Sequence, residues 1–337
     1  MTLKAKSPGT PPQTHQSRSA RFLVTGALGC IGAWVVHELV GQGVEVVAFD
    51  KGDDDFRIRY LLDDSAIAQV TQVQGDIVDP QVIRGVVHDY DITNVVHLAA
   101  LQMPPCSENP RIGALVNVVG TINVFEAVRD TRASERPIVY SSSVAAFDAP
   151  DEATADASTP TGRPASHYGV FKVANEGNAR VFARELGISS IGLRPHVVYG
   201  VGRDQGRTSA ITKAILAAAR NEPFEITFTG FCQMQYAQDV AKAFIAASRT
   251  DAKGALVVNI DGPSVDVQDV VGVIRDVDPV AADRITASGD ALPFPGRLPD
   301  DDILRLLGRT ATTSLADGVH ETMRRFRELT ASGMLRT

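Results

Sequence analysis

Cysteine is scarce in this chain. The 337 residues hold three, at positions 30, 106 and 232. There is no Cys-x-x-Cys and no clustered Cys/His set, which excludes a disulfide framework and a metal site built on such spacings. Three free thiols suit a reducing, cytoplasmic compartment. No stretch approaches the ~18 consecutive apolar residues of a membrane span. Residues 1–20 carry basic residues, Pro, Ser and Thr but no apolar segment of the secretory kind, and are expected to form a disordered tail. Positive charge is not in excess either: 33 Lys and Arg against 40 Asp and Glu leave a net charge of −7, which gives no reason to expect nucleic acid or a membrane surface as partner. What remains is an ordinary globular composition, 44% hydrophobic and 22% charged, long enough for one large or two modest domains. No internal repeat is visible.

Order is expected from Arg21. Phe22-Leu-Val-Thr25 reads as a short apolar strand. It runs directly into Gly26-Ala-Leu-Gly29-Cys30-Ile31-Gly32 and an apolar-periodic helix that ends near Gly41. Val44–Asp50 is a second strand ending in an acid. In such a strand-turn-helix unit the glycines permit a tight turn and let a pyrophosphate approach the helix N-terminus. The spacing is Gly-x-x-Gly-x-x-Gly, not the usual Gly-x-Gly-x-x-Gly, and Asp50 follows the last glycine by 18 residues. A carboxylate there accepts from ribose hydroxyls and repels a 2′-phosphate, which selects NAD over NADP; Asp53, Asp54 and Asp55 add to that repulsion, and Lys51 lies beside the same ribose.

Strand and helix continue to alternate. Strands are expected at 70–74, 94–100, 137–143 and 188–194, with helices from Asp79-Pro80, from about 111 to 132, and from about Pro164 to Gly187. The segment Gln102–Pro110, with three prolines, is expected to be irregular and to lie over a ligand site. Residues 148–164 read as an acidic loop. Beyond Pro195 the expectation is a loop at 200–206, a helix at 208–220, strands at 225–229 and 256–260, a helix at 238–249, then a turn-rich remainder including Leu292-Pro-Phe-Pro-Gly296, closed by a helix at 314–330. The fold class is therefore α/β: a Rossmann-like, doubly wound parallel sheet over 21–194, to which 238–262 returns, with a smaller, partly interleaved C-terminal portion (195–237 and 263–337) for substrate.

One pair of residues organises the chemistry. Tyr168 and Lys172 are four apart, so on a helix they rise from one face. A free phenol has a pKa of about 10 and serves poorly near neutrality; a neighbouring ammonium favours the phenolate and brings proton transfer into the physiological range.

With these pieces the chain resembles an extended short-chain dehydrogenase/reductase of the NAD-dependent epimerase/dehydratase family. The resemblance rests on Thr25–Gly32, Asp50, Gly75-Asp76-Ile77, His97-Leu98-Ala99-Ala100, Asn117, Ser141-Ser142-Ser143, Tyr168-x-x-x-Lys172, Arg194-Pro195 and Tyr199-Gly200. It implies that Gly26, Gly29, Cys30, Ile31 and Gly32 hold the NAD pyrophosphate, and that Asp50 holds the adenosine ribose. Asp76 and Ile77 would edge the adenine, and Leu98, Ala99 and Ala100 would line the dinucleotide. Tyr168 would be the general acid/base. Lys172 would bond the nicotinamide ribose and assist Tyr168, and Ser143 would hydrogen-bond the reacting oxygen. Asn117 would either support Lys172 through its helix or a water, or be a packing amide. Gln102, Ser142, His196 and Arg207 are candidate contacts to a small-molecule substrate, and Arg203 with Arg207 could take a carboxylate. His97 reads as a core histidine.

Two departures bear on substrate. The resemblance implies an asparagine at 197 and a diphosphate-gripping arginine at 232; the chain has Val197 and Cys232. A small sugar, sugar acid or similar polyol fits better than a nucleotide sugar. A dehydrogenase/reductase, an epimerase returning hydride from tightly held NAD, and a non-catalytic NAD-binding protein are the three readings, taken in that order. Val144 and Ala145 after Ser143 argue against a dehydratase. The family also implies a homodimer formed through the helices at 111–132 and 165–186.

Overall fold

The computed structural model of the protein describes residues 19–131, 136–147, 163–281, 284–308 and 312–336. The expected tail and the acidic 148–164 loop fall almost wholly outside these residues. Seven strands form one sheet: β1 (Arg21–Thr25), β2 (Glu45–Asp50), β3 (Val70–Gln74), β4 (Asn94–His97), β5 (Ile138–Ser141), β6 (Ser190–Arg194) and, returning from far along the chain, β10 (Ala255–Asn259). Their order is β10-β6-β5-β4-β1-β2-β3, and every pairing is parallel. The order reverses between β1 and β4, which opens a crevice at the C-terminal ends of those strands.

Side-chain alternation splits the core in two. Phe22, Val24, Val46 and Ala48 face one layer, packed with Trp34, Val35 and Leu39 of the helix Cys30–Gly41 and with Val240 and Phe244 of the helix Ala237–Ser248. Leu23, Val47 and Phe49 face the other, with Ile83, Val87, Val124, Phe125 and Ala179 from helices Pro80–Asp89, Pro110–Thr131 and His167–Leu186. The near-continuous apolar runs thus follow from burial on both faces. The smaller portion carries β7 (Val197–Tyr199), β9 (Phe231–Tyr236) and β11 (Ser264–Asp266) as a three-stranded sheet, and β8 (Phe224–Ile226) paired with β12 (Ile285–Ala287).

Several expectations need correction. Strand β4 stops at His97, because Leu98 and Ala99 turn in to donate their N–H groups to Thr25 Oγ1 at 3.2 and 3.3 Å. The proline-rich segment is not irregular: Met103–Glu108 is a helix with its prolines in the first turn, where no N–H donor is needed. Pro164 lies outside the Tyr168 helix, which begins at His167 under a Ser166 cap that accepts from Gly169 N at 3.1 Å. Its expected stop holds: Gly187 closes it in the left-handed conformation, φ 68°. The turn-rich remainder contains a helix at Val267–Val277. Finally, Pro110–Thr131 is long and apolar enough to cross a membrane by length and composition alone. Half of it is buried, as in a core helix, and it packs on Pro80–Asp89.

Candidate active site

The glycine turn is fixed by contacts that leave no space for a side chain. Gly26 sits at φ +69°, and a Cβ there would lie 2.6 Å from Ala99 N. A Cβ on Gly32 would lie 2.1 Å from Gly26 O. At the helix start that follows, Gly29 offers no side-chain cap and the first turn holds no acid. Backbone N–H groups there are left for an anion. Asp50 closes β2 with its carboxylate turned back to the turn, Oδ2 accepting from Leu28 N at 3.0 Å and Oδ1 from Lys51 N at 2.8 Å.

The cations nearby are spoken for. Lys51 Nζ pairs with Asp76 Oδ2 at 2.8 Å, which holds the Asp76 carboxyl below its ordinary range. Arg59 pairs with Asp55 and Asp64. Arg57 spans the crevice, donating to Leu28 O at 2.9 Å and to the Asp204 carboxylate at 2.8 Å. None of these pairs leaves a cation for a 2′-phosphate, so the residues present fit NAD.

A cavity of about 270 Å³ joins this turn to the expected catalytic residues. Gly26, Gly29, Cys30, Ile31, Gly32, Leu98 and Ala100 line it on one side, and Ser143, Tyr168 and Lys172 on another. Lys172 is buried, donates Nζ to Ser141 O at 2.6 Å, and stands 5.3 Å from the centre of the Tyr168 ring. Ser143 caps a short 3-10 turn by accepting from Ala145 N at 3.1 Å. Its hydroxyl hydrogen is left to donate.

Other expected residues are placed differently. Asn117 makes no direct hydrogen bond to Lys172; its amide holds the backbone of one residue at both ends, accepting from Leu101 N at 2.7 Å and donating to Leu101 O at 2.9 Å. It lies in a single π-helical turn, Leu115–Val119, and its carbonyl accepts from Thr121 Oγ1 and Asn175 Nδ2 at 2.7 and 2.8 Å. Ser142 also lines the cavity, but its hydroxyl turns away to donate to buried Glu176 at 2.5 Å. Glu176 in turn takes a two-pronged pair from Arg194 at 2.8 and 2.7 Å. Ile77 packs its side chain in the core, where a Cβ on Gly120 would meet it at 2.8 Å.

Gln102, His196 and Arg207 all line the cavity. His196 donates Nε2–H to Pro295 O at 2.7 Å, meets Phe294 edge-on, and is pushed by burial to about 4, hence neutral. Arg207 is exposed and reaches Thr227 O at 3.4 Å. His97 is a core residue held between Thr25 Oγ1 (2.7 Å) and Thr121 Oγ1 (3.0 Å) and pushed by burial to about 3. Met103 lies in the 102–110 segment expected over the site and does line the cavity, whereas Val144, Thr208 and the 292–294 segment are lining residues that sequence reasoning missed. Only the prolines of 292–296 marked that last stretch, and they signalled a turn without a ligand.

A doubly wound sheet, a glycine turn at its switch point and a Tyr-x-x-x-Lys pair over the same cavity define the class of the extended short-chain dehydrogenase/reductases. A model of the NAD dependent epimerase/dehydratase family matches residues 22–261, and the chain belongs to that family. UDP-glucuronate 4-epimerase 4 of Arabidopsis thaliana is 30% identical over 251 residues, 72% of this chain but only 56% of that protein's length. UDP-glucose 4-epimerase of Mycolicibacterium smegmatis is 28% identical over 320 residues, 91% of this chain and 98% of that one. Among solved structures, MoeE5 in complex with UDP-glucose and NAD superposes with a TM-score of 0.77 at 27% identity, covering 92% of this chain and all of that one. L-threonine dehydrogenase of Clostridium difficile, at 19% identity and a TM-score of 0.79 over 92% of this chain and 98% of that one, shares the fold. The protein is an NAD-dependent enzyme of this family.

Proposed function

We propose that the protein transfers hydride between NAD and a secondary alcohol or carbonyl of a small polar substrate, such as a sugar, a sugar acid or a similar polyol. The observation that carries this reading is the pairing of Ser143, Tyr168 and Lys172 on one cavity, together with a core cysteine at 232 where the resemblance implies a diphosphate-gripping arginine. Cys232 is fully buried, its thiol pushed by burial to about 12, and its sulfur lies 3.6 Å from that of Met234. Val197 is equally buried. Neither can bond an anion.

In this reading Tyr168 takes the proton that leaves the substrate hydroxyl, and Lys172 supplies the fixed positive charge beside it. Ser143 donates its hydroxyl hydrogen to the same oxygen and stabilises the charge that develops there. Bound NAD supplies the hydride acceptor, held through the glycine turn and Asp50. The test is NADH formation at 340 nm over sugars, sugar acids and secondary alcohols. Tyr168→Phe should keep its affinity for NAD and lose about 10²- to 10⁴-fold in turnover; a Phe variant of unchanged rate refutes the assignment.

The 4-epimerase relatives favour a second reading, in which hydride returns to the same substrate from a captive cofactor. The absorbance of the purified protein before and after denaturation separates the two. Retained, non-exchanging nicotinamide nucleotide supports the epimerase, and reversible binding supports the dehydrogenase. Either enzyme is read here as a cytoplasmic homodimer. Ile112 and Val119 on one helix, and Val170, Val181 and Leu186 on the next, are 37–50% exposed and would be covered by a second copy; a monomer mass by light scattering would refute this.

A further inference from the structure

Arg203 stands in the cavity wall with Ser143, Tyr168 and Lys172, and its charge is unanswered. Its neighbour Asp204 is taken by Arg57, and no described carboxylate pairs with Arg203 itself. Two neutral groups hold the guanidinium: Thr208 Oγ1 accepts from Nη2 at 3.0 Å, and the Gln102 amide oxygen, in its better orientation, accepts from Nη1 at 3.2 Å. Gly206, at φ +83°, makes room for that amide, since a Cβ there would lie 2.3 Å from it. A guanidinium has five N–H donors, so two bonds leave three, one of them on Nε, which is sealed from solvent without a partner. A half-buried cation with a fixed plane and free donors is suited to a two-pronged bond with one carboxylate.

From this we infer that Arg203 is the substrate-selecting residue, anchoring a carboxylate of the substrate in the cavity, with Gln102 and Thr208 as the residues that set its plane. The inference rests on the proposed oxidoreductase reading and narrows its substrate class to hydroxy acids and sugar acids. Arg207 lines the same cavity but is exposed and turns to Thr227 O, so Arg203, half-buried with its plane fixed, is the residue placed to grip a carboxylate. The cofactor's pyrophosphate offers the same anionic oxygens, since Arg203 acts electrostatically on Cys30 in the glycine turn, and the test separates the two sources.

The experiment is calorimetric titration of the NAD-loaded protein with matched pairs, hexuronates against the parent hexoses and 2-hydroxy acids against their amides. The wild type should bind at least one acid about 10- to 100-fold more tightly than its neutral partner, the range of a charge-assisted bond. Arg203→Gln should erase that preference. Arg203→Lys, which keeps the charge and loses the fork, should retain only part of it. Affinity for NAD and the melting temperature should stay as in the wild type. The inference is overturned if no acid is preferred, if the preference survives in Arg203→Gln, or if NAD affinity falls in that variant by the same factor, which would assign the arginine to the cofactor. Turnover is read separately at 340 nm: acids that bind without forming NADH would sink the oxidoreductase reading and leave the anchor standing, whereas NADH from neutral substrates alone would do the reverse.

Discussion

Glu176→Gln should be among the most damaging single substitutions in this chain, although no ligand is expected to touch the residue. The Glu176 and Arg194 side chains are 3% and 11% exposed, and the carboxylate accepts three hydrogen bonds, two from Arg194 and one from Ser142. Removing its charge strands the Arg194 guanidinium where little water reaches. Breaking a buried pair from one side costs about 3–5 kcal/mol, a large share of the 5–15 kcal/mol that holds a typical domain. Removing the whole network should cost far less. In Ser142→Ala/Glu176→Leu/Arg194→Met no charge is left unpaired and no hydroxyl loses its acceptor, and such replacements are often neutral. Urea unfolding with comparable slopes gives both numbers. Glu328→Gln serves as a surface control: its partners Arg324 and Arg325 are 46% and 30% exposed, and the loss should stay below about 1 kcal/mol. A Glu176→Gln penalty under about 1 kcal/mol, or a triple variant as unstable as the single, would refute the reasoning.

Acid should weaken the fold through its buried histidines. His97 and His196 have folded values depressed to about 3 and about 4, so below the ordinary value near 6.5 the unfolded chain binds protons that the native state refuses. Stability should therefore be complete above pH 7 and fall by up to about 1.4 kcal/mol per pH unit for each histidine as pH drops from 6.5 towards 4. Unfolding free energies at pH 7 and pH 5 that agree within error would contradict this. Gly26→Ala should abolish NAD binding, because its Cβ would press on the Ala99 backbone at 2.6 Å in a left-handed turn. Titration following the fluorescence of Trp34, on the adjoining helix, checks it, and an unchanged affinity would remove the glycine turn from the cofactor site.

The Rossmann core was legible because burial on both faces of a parallel sheet writes apolar runs into the chain, and because turns and caps are local chemistry. Gly187 ends the Tyr168 helix for reasons visible in its own few residues. The helix at Val267–Val277 was equally legible, with Asp266 as its cap and Val267, Val270, Val271 and Ile274 at helical spacing; the prolines that follow obscured it. Other features were not in the local sequence at all. Strands of three residues, such as β7 and β12, show no period. Nothing near Ser142 says that its hydroxyl meets Glu176, and nothing near Asn117 says that its amide holds the backbone of Leu101. Those assignments depend on which elements the fold brings together across the sheet.

The return of β10 to the main sheet has a consequence in time. Its partner β6 pairs residue for residue, Ile191 with Leu256 and Leu193 with Val258. A ribosome must therefore finish the first segment of the smaller portion, residues 195–237, before the larger sheet can close. For several seconds at ordinary elongation rates, β6 is an open edge offering unpaired N–H and C=O groups to any other chain. Every copy passes through that interval as it is made, so the open edge of β6 is a hazard of synthesis that the finished sheet no longer carries there.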